Sequence, residues 1–174
     1  VIYMLTYYIF GIKSSGFHIV NILFHAGNSV LVFFVVSEIF RKFYNSNSAS
    51  NLFPPFIAAI LFATNPIHTE PVVWVAGILD LSFTFFYLLS FYLYIRSEDN
   101  GVLSKGIYLL SVLSFLFSVF CKEPSITLIV ILICYDFVLR NQKAYSLQYL
   151  KRYGSYFFVF GGYLIARFYA LNGF

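Results

Sequence analysis

The sequence predicts an all-α membrane protein, a polytopic bundle of about six transmembrane helices. Composition is the first observation: 60% of the residues are apolar and 22% are aromatic, whereas only 10% are charged. Soluble domains carry about 25% charged residues, and the mean hydropathy here is +0.82. The second observation is that long apolar runs alternate with short polar segments. The net charge of +4 is spread between these runs, so we expect a lipid bilayer rather than a nucleic acid as partner.

The first two apolar segments differ in length. Val1 to Ile12 is shorter than the roughly 20 residues a span needs, so we expect an interfacial helix or the tail of a loop. Phe17 to Phe40 is long enough to cross the membrane. It carries four polar residues whose spacing places them on one helical face: His18, Asn21, His25 and Asn28. We expect that face to contact other helices or a water-filled cavity, with His18 as the best candidate for ligand contact.

The second crossing is predicted to be interrupted. Leu52 to Thr64 follows the Asn/Ser-rich linker Asn45 to Asn51 and ends just before Pro66. It is shorter than a full span. Either the helix continues through a kink at Pro66, or it ends early and Ile67 to Gly77 lies at membrane depth inside protein. Both alternatives give the polar stretch Asn65 to Asp80 a pocket to line.

Four further apolar runs complete the predicted bundle. They are Leu81–Ile95, Ile107–Phe120, Ser125–Val138 and Tyr153–Leu171. Lys and Arg residues are unevenly distributed: loops 41–52, 96–106 and 140–152 hold eight of them, and the opposite side holds three. The positive-inside rule therefore predicts that the three basic loops are cytoplasmic.

This topology brings most of the unusual polar residues to the extracytoplasmic face. They are His18, His68, Glu70, Asp80, Lys122, Glu123 and Arg167. The sequence has no zinc-ligand spacing, no nucleophile elbow and no phosphate-binding glycine loop, so soluble hydrolases and ATP-driven proteins are disfavoured. Cations beside carboxylates suit a lipid-linked phosphate donor. Lys122 and Arg167 would hold phosphate oxygens, while a carboxylate would act as base or hold a divalent cation.

Several of these residues also fit structural roles. Lys122 and Glu123 fit equally well as a neighbouring ion pair at a helix turn. Glu70 fits as an acid in the first turn of a helix. Asp80 fits better as the N-cap of a helix that begins at Leu81 than as a ligand-binding residue.

Four other residues are predicted to be structural. Trp74 is expected to be an interfacial anchor. Asp136 lies close to the cytoplasmic end of its crossing, and we expect it to stabilise the fold. Cys121 and Cys134 are expected to be small core residues, because they form no spaced framework for disulfides or metal ligands.

Three stretches together resemble a known family. They are Phe17–Ser29, Asn65–Asp80 with its His-Thr-Glu and Gly-x-x-Asp, and Cys121–Thr127 with its Cys-Lys-Glu. They resemble the transmembrane O-mannosyltransferases with tetratricopeptide repeats and related prokaryotic membrane proteins. That family is similar to the glycosyltransferase C superfamily, and the resemblance covers nearly the whole chain. It implies a fold of the glycosyltransferase C type with an active site on the lumenal or periplasmic face.

The resemblance implies transfer of a hexose, with mannose as the expected sugar, from a polyprenyl-phosphate donor to a hydroxyl of a protein acceptor. Glu70 and Glu123 are then the catalytic candidates. The substrate-binding candidates are His18, His68, Asp80, Lys122 and Arg167. The alternative is a non-catalytic polytopic protein that binds, moves or scaffolds a lipid-linked glycan.

Two parts of the family pattern differ here. The family's Gly-Arg-x-Asp reads Gly77-Ile78-Leu79-Asp80, so Ile78 replaces an arginine. The acidic pair of the first extracytoplasmic loop is expected upstream of Val1, and the repeats are expected downstream of Phe174. We therefore expect residues 1–174 to be a partial transmembrane glycosyltransferase domain that is inactive alone. Its expected location is the plasma membrane in a prokaryote or the endoplasmic reticulum membrane in a eukaryote.

Overall fold

The computed structural model describes residues 2–44, 52–99, 102–140 and 147–172. Nearly all of them are helical, which confirms the all-α class. The helices are α1 (Ile2–Phe10), α2 (Ser14–Tyr44), α3 (Phe53–Thr64), α4 (Thr69–Val73), α5 (Ile78–Ser97), α6 (Lys105–Cys121), α7 (Thr127–Arg140) and α8 (Leu147–Asn172). Three 3-10 turns, Pro66–His68, Val75–Gly77 and Glu123–Ile126, join α3 to α4, α4 to α5 and α6 to α7.

A short antiparallel pair of β-strands joins α5 to α6. Its strands are β1 (Glu98–Asp99) and β2 (Val102–Leu103), in the register Glu98 to Leu103. The predicted linker Asn45–Asn51 and residues 141–146 of the predicted basic loop lie outside the described residues.

Fewer helices can cross a membrane than the sequence predicted. In the described ranges, two stretches are long and apolar enough, Ser14–Tyr44 and Val75–Ser97. A third qualifies if α3 and Pro66–Val73, which meet at a bend of 48°, form one span. The prediction of about six crossings is therefore wrong by this criterion. Helices α6 and α7 have 17 and 14 residues, fewer than the roughly 20 that a span needs.

The predicted interruption of the second crossing is present, and the helical segments on its two sides meet at a bend of 48°. Helix α3 ends at Thr64, and Asn65 adopts an extended conformation. The Asn65 side chain accepts a hydrogen bond from the Ile67 N–H at 3.1 Å, and Pro66 occupies the first position of the following 3-10 turn. An Asx cap followed by proline is a typical start for a new helical segment. The chain therefore restarts at Pro66 in a new direction.

Helix α5 lies at the centre of the bundle and packs against α2 and α6. The largest fully buried side chains of the core come from α5, α6, α7 and α8, among them Tyr94, Phe115, Leu132 and Tyr156. Ser90 donates to the Ser111 carbonyl at 2.8 Å, and such small residues let two helices approach closely. Cys121 is half-buried, whereas Cys134 is exposed. The core prediction is therefore wrong for Cys134, which lies on the outward face of α7.

Hydrogen bonds between helices define two ends of the bundle. At one end, the Lys42 ammonium donates to the carbonyls of Ile95 and Glu98 at 2.6 and 2.7 Å. Near this end, the fully buried Asp136 carboxylate accepts hydrogen bonds from Tyr94 and, at 2.7 Å, from Tyr153. Asp136 thus has the structural role expected of it. We call the opposite end, which carries residues 65–80, Lys122, Glu123 and Arg167, the site end.

Candidate functional site

The segment between α3 and α5 is attached to α2 through one asparagine. Asn21 is fully buried. Its side-chain amide donates to the carbonyls of Pro71, Val72 and Trp74 at 3.3, 3.2 and 2.9 Å. The irregular backbone that carries the candidate residues is therefore fixed against a long helix, as a polar backbone inside a membrane protein requires.

Two histidines lie side by side at the site end. The His25 Nε2 atom is 3.1 Å from the Ala63 carbonyl at the end of α3. The ring centroids of His25 and His68 are 5.4 Å apart, and those of Phe62 and His68 are 4.3 Å apart. His68 thus belongs to a small aromatic cluster that joins α2, α3 and the 3-10 turn.

The polar face of α2 behaves largely as predicted. Asn28, the fourth residue of that face, is buried and donates to the Leu81 carbonyl of α5 at 3.1 Å. Asn21, His25 and Asn28 therefore all bond to other segments, which confirms interhelical hydrogen bonding for three of the four residues. His18 is half-buried and takes part in none of the hydrogen bonds seen in the described residues. Its predicted ligand contact stays a prediction.

Two ion pairs bring four of the candidate residues together. Lys122 pairs with Asp80, and Arg167 pairs with Glu123. All four side chains are substantially exposed, between 39% and 54% of their surface. Because Lys122 and Glu123 are neighbours in sequence, the two pairs connect the start of α5 and the end of α8 through the turn between α6 and α7.

These contacts correct two structural expectations. Helix α5 begins at Ile78 rather than Leu81, and no side-chain cap is present at Gly77. Asp80 therefore lies within the first turn, and the prediction that it is the N-cap is wrong. Lys122 and Glu123 do not pair with each other. Lys122 pairs with Asp80 of α5, and Glu123 pairs with Arg167 of α8.

The turn between α6 and α7 holds Lys122 and Glu123 in a fixed backbone. Lys122 is extended, with φ −153° and ψ 142°, and its N–H still donates to the Ser118 carbonyl at 3.0 Å. The buried Ser125 hydroxyl donates to the Lys122 carbonyl at 2.7 Å. Pro124 then favours the end of one helix and the start of the next. The two ion pairs thus rest on an ordered turn.

Glu70 differs from the other acidic candidates. It lies in the first turn of α4, as predicted, where a carboxylate interacts favourably with the positive end of the helix dipole. Its side chain is exposed, and the described part of the chain shows no ion pair to it. Among the described residues, no neighbouring cation neutralises the Glu70 carboxylate.

The cations of the two ion pairs suit an anionic ligand. Within the described residues, no group of three or more His, Cys, Asp or Glu side chains could hold a metal. The predicted divalent cation stays a prediction. Lysine and arginine side chains such as Lys122 and Arg167 donate charge-assisted hydrogen bonds to phosphate oxygens.

Some of this geometry had a signal in the sequence and some had none. The spacing of Asn21, His25 and Asn28 indicated a shared face, but no pattern indicated that Asn21 binds three carbonyls. The pairing of Asp80 with Lys122 joins residues 42 positions apart, so local periodicity carries no trace of it.

The chain is similar to several protein O-mannosyl-transferases. It is 37% identical to the human protein O-mannosyl-transferase TMTC4 over 137 residues, which is 73% of this chain and 18% of that protein. It is 35% identical to human TMTC3 over 136 residues, 77% of this chain and 14% of the relative. It is 30% identical to human TMTC1 over 150 residues, 81% of this chain and 16% of the relative.

The chain thus spans less than a fifth of the length of these relatives. No family model matches the chain, and no solved structure matches it.

Proposed function

This chain belongs to the TMTC-type family of protein O-mannosyl-transferases, and we propose that the protein containing it transfers mannose to a hydroxyl group of a protein acceptor. The relatives are named for that reaction. The observation that carries the proposal to this chain is the pair of cations at the site end, Lys122 and Arg167, each beside a carboxylate.

The proposed donor is a polyprenyl-phosphate-linked mannose. Such a donor presents a phosphate at the membrane surface, and its lipid chain remains in the bilayer. The site end offers Lys122 and Arg167 to the phosphate, and both side chains are accessible enough to exchange a carboxylate for a phosphate oxygen. His68, with His18 and Asp80, would contact the remaining groups of the donor.

The proposed reaction is an inverting transfer. The acceptor oxygen forms a bond to the anomeric carbon while the bond from that carbon to the phosphate oxygen breaks, and the proton of the acceptor hydroxyl passes to a carboxylate base. The phosphate departs with the bonding electron pair. Cations positioned at the departing phosphate stabilise that charge in the transition state.

The ion pairs favour different roles for the two glutamates. Glu123 forms an ion pair with Arg167, so its carboxylate is already engaged by a cation. Glu70 has no such neighbour among the described residues. Glu70 is therefore the better base candidate within this chain, while Glu123 orients Arg167.

The proposed site lies on the extracytoplasmic side, which is lumenal in the endoplasmic reticulum of a eukaryote. The distribution of Lys and Arg supports this orientation, because the basic segments gather at the end opposite Asp80 and Lys122. A multi-pass membrane location in the endoplasmic reticulum, or in the plasma membrane of a prokaryote, is part of this proposal.

The test is sugar transfer by the purified full-length protein in lipid vesicles. The same protein acceptor is offered with mannose on a polyprenyl phosphate or with mannose on a nucleoside diphosphate. We expect transfer from the lipid-linked donor alone. Transfer from the nucleotide-linked donor alone, or from neither donor, would contradict the proposal and favour a protein that binds, moves or scaffolds a lipid-linked glycan.

A further inference from the structure

We propose that Asn21 is a positioning residue that fixes the segment Thr69–Gly77 and thereby sets the position of Glu70. This inference rests on the proposed function, in which Glu70 acts on substrate. Asn21 itself lies in α2 and is fully buried, so it acts through the segment rather than on a substrate.

The segment depends on hydrogen bonds from outside itself. Helix α4 has only five residues, and a helix leaves its last four carbonyls without N–H partners of its own. Asn21 supplies donors to the carbonyls of Pro71 and Val72, which belong to this group. Its amide carries two N–H bonds, so the contacts to three carbonyls share them. In apolar surroundings no water replaces such donors.

Trp74 links Asn21 to the backbone of Glu70. The Trp74 carbonyl accepts from Asn21 at 2.9 Å and also from the Gly77 N–H at 2.9 Å. The Trp74 N–H donates to the Glu70 carbonyl at 2.9 Å. The buried Asn21 side chain therefore fixes Trp74. Trp74 in turn holds the end of α4, which carries Glu70, and the 3-10 turn Val75–Gly77 that follows.

Asn28 provides a matched comparison on the same helix. It is also buried, and its amide donates to one carbonyl, that of Leu81. Leu81 lies inside the 20-residue helix α5, where the same carbonyl accepts the regular helical hydrogen bond. We therefore expect loss of the Asn28 amide to leave the position of α5 unchanged and loss of the Asn21 amide to release the short segment.

The experiment measures a distance and an activity in the full-length protein. Spin labels are attached to cysteines replacing Trp74 and Leu110, whose side chains are 62% and 54% exposed, in a background without other cysteines. Pulsed electron paramagnetic resonance then compares Asn21→Leu and Asn28→Leu with the parent. Asn21→Asp is the second variant, because it keeps the size of the side chain and removes the N–H donors.

We expect both Asn21 variants to broaden the distance distribution, and Asn28→Leu to leave it narrow. In the same proteins without labels, we expect kcat to fall about 100-fold in the Asn21 variants, because a catalytic group displaced by about 1 Å loses about that much in rate. We expect a smaller change in KM. A narrow distribution in both Asn21 variants would overturn the inference, and so would equal broadening by Asn28→Leu. The distance requires no turnover, so it tests the inference even if the parent protein transfers no sugar.

Discussion

Gly77 is the residue at which the smallest side chain would disturb the site end. A Cβ atom built on it would lie 2.1 Å from the Pro71 carbonyl oxygen and 2.6 Å from the Pro71 carbonyl carbon and Cα. These are backbone atoms, so no side-chain rotation relieves the contact. This close approach of two backbone segments explains why the first position of the Gly-x-x-Asp motif is a glycine.

We expect Gly77→Ala to destabilise the protein by about 1–3 kcal/mol, the usual cost of overpacking. Gly106→Ala is the matched control, because Gly106 lies in a helix and a Cβ atom there would meet nothing within 4 Å beyond its own helical backbone. It should be neutral or stabilising by about 0.5–1 kcal/mol. Thermal unfolding in detergent measures both. Equal stability of the two variants would contradict the close approach.

At the residue scale, the sequence indicated which side chains form the polar face and the site end, but it did not indicate most of their contacts. The spacing of Asn21, His25 and Asn28 predicted a common face because helical periodicity is local. The partners of Lys122 and Glu123 were not predictable. Each pair joins residues more than 40 positions apart, and their adjacency in sequence suggested a pair with each other.

Among the elements, α5, α7 and α8 are joined by a buried carboxylate. Asp136 of α7 accepts hydrogen bonds from Tyr94 of α5 and from Tyr153 of α8, and the three side chains are between 0% and 5% exposed. A buried charge is tolerated only where hydrogen bonds stabilise it. This junction lies away from the site end and holds the helix that carries Arg167.

We expect Tyr153→Phe to destabilise the protein by about 1–3 kcal/mol, because the buried carboxylate loses a donor. Tyr163→Phe is the control, because it also removes a tyrosine hydroxyl from α8. Tyr163 is half-buried, and its hydroxyl takes part in none of the hydrogen bonds seen among the described residues. We expect this variant to lose no more than about 0.5 kcal/mol of stability. Chemical denaturation of the two variants in detergent gives the comparison. An equal loss in both would show that Asp136 does not depend on Tyr153.

The elements were predictable where apolar runs are continuous. The structure has α2 and α5 close to the predicted crossings, although α2 extends from Ser14 to Tyr44. The breaks at Pro66 and Pro124 are present as predicted, because a new helical segment starts at each proline. The number of crossings was overestimated because α3, α6 and α7 have 12, 17 and 14 residues, fewer than the roughly 20 that a span needs.

For the whole molecule, the uneven distribution of basic residues makes a prediction about sidedness. Trp74 at the site end and Phe43 at the opposite end are 62% and 64% exposed. Single cysteines at these positions in the full-length protein should react with a membrane-impermeant maleimide from opposite sides, position 74 from the extracytoplasmic side. Labelling of both from one side, or in the reverse order, would contradict the proposed orientation.

The central claim concerns Lys122 and Arg167, and sugar transfer by variants of the full-length protein tests it most directly. Lys122→Met and Arg167→Met each remove a proposed phosphate contact, whereas Lys13→Met removes an exposed charge outside the two ion pairs. We expect each of the first two to lower transfer from polyprenyl-phosphate mannose about 100-fold, and Lys13→Met to change it less than about twofold. Full transfer by folded Lys122→Met and Arg167→Met proteins would contradict the account.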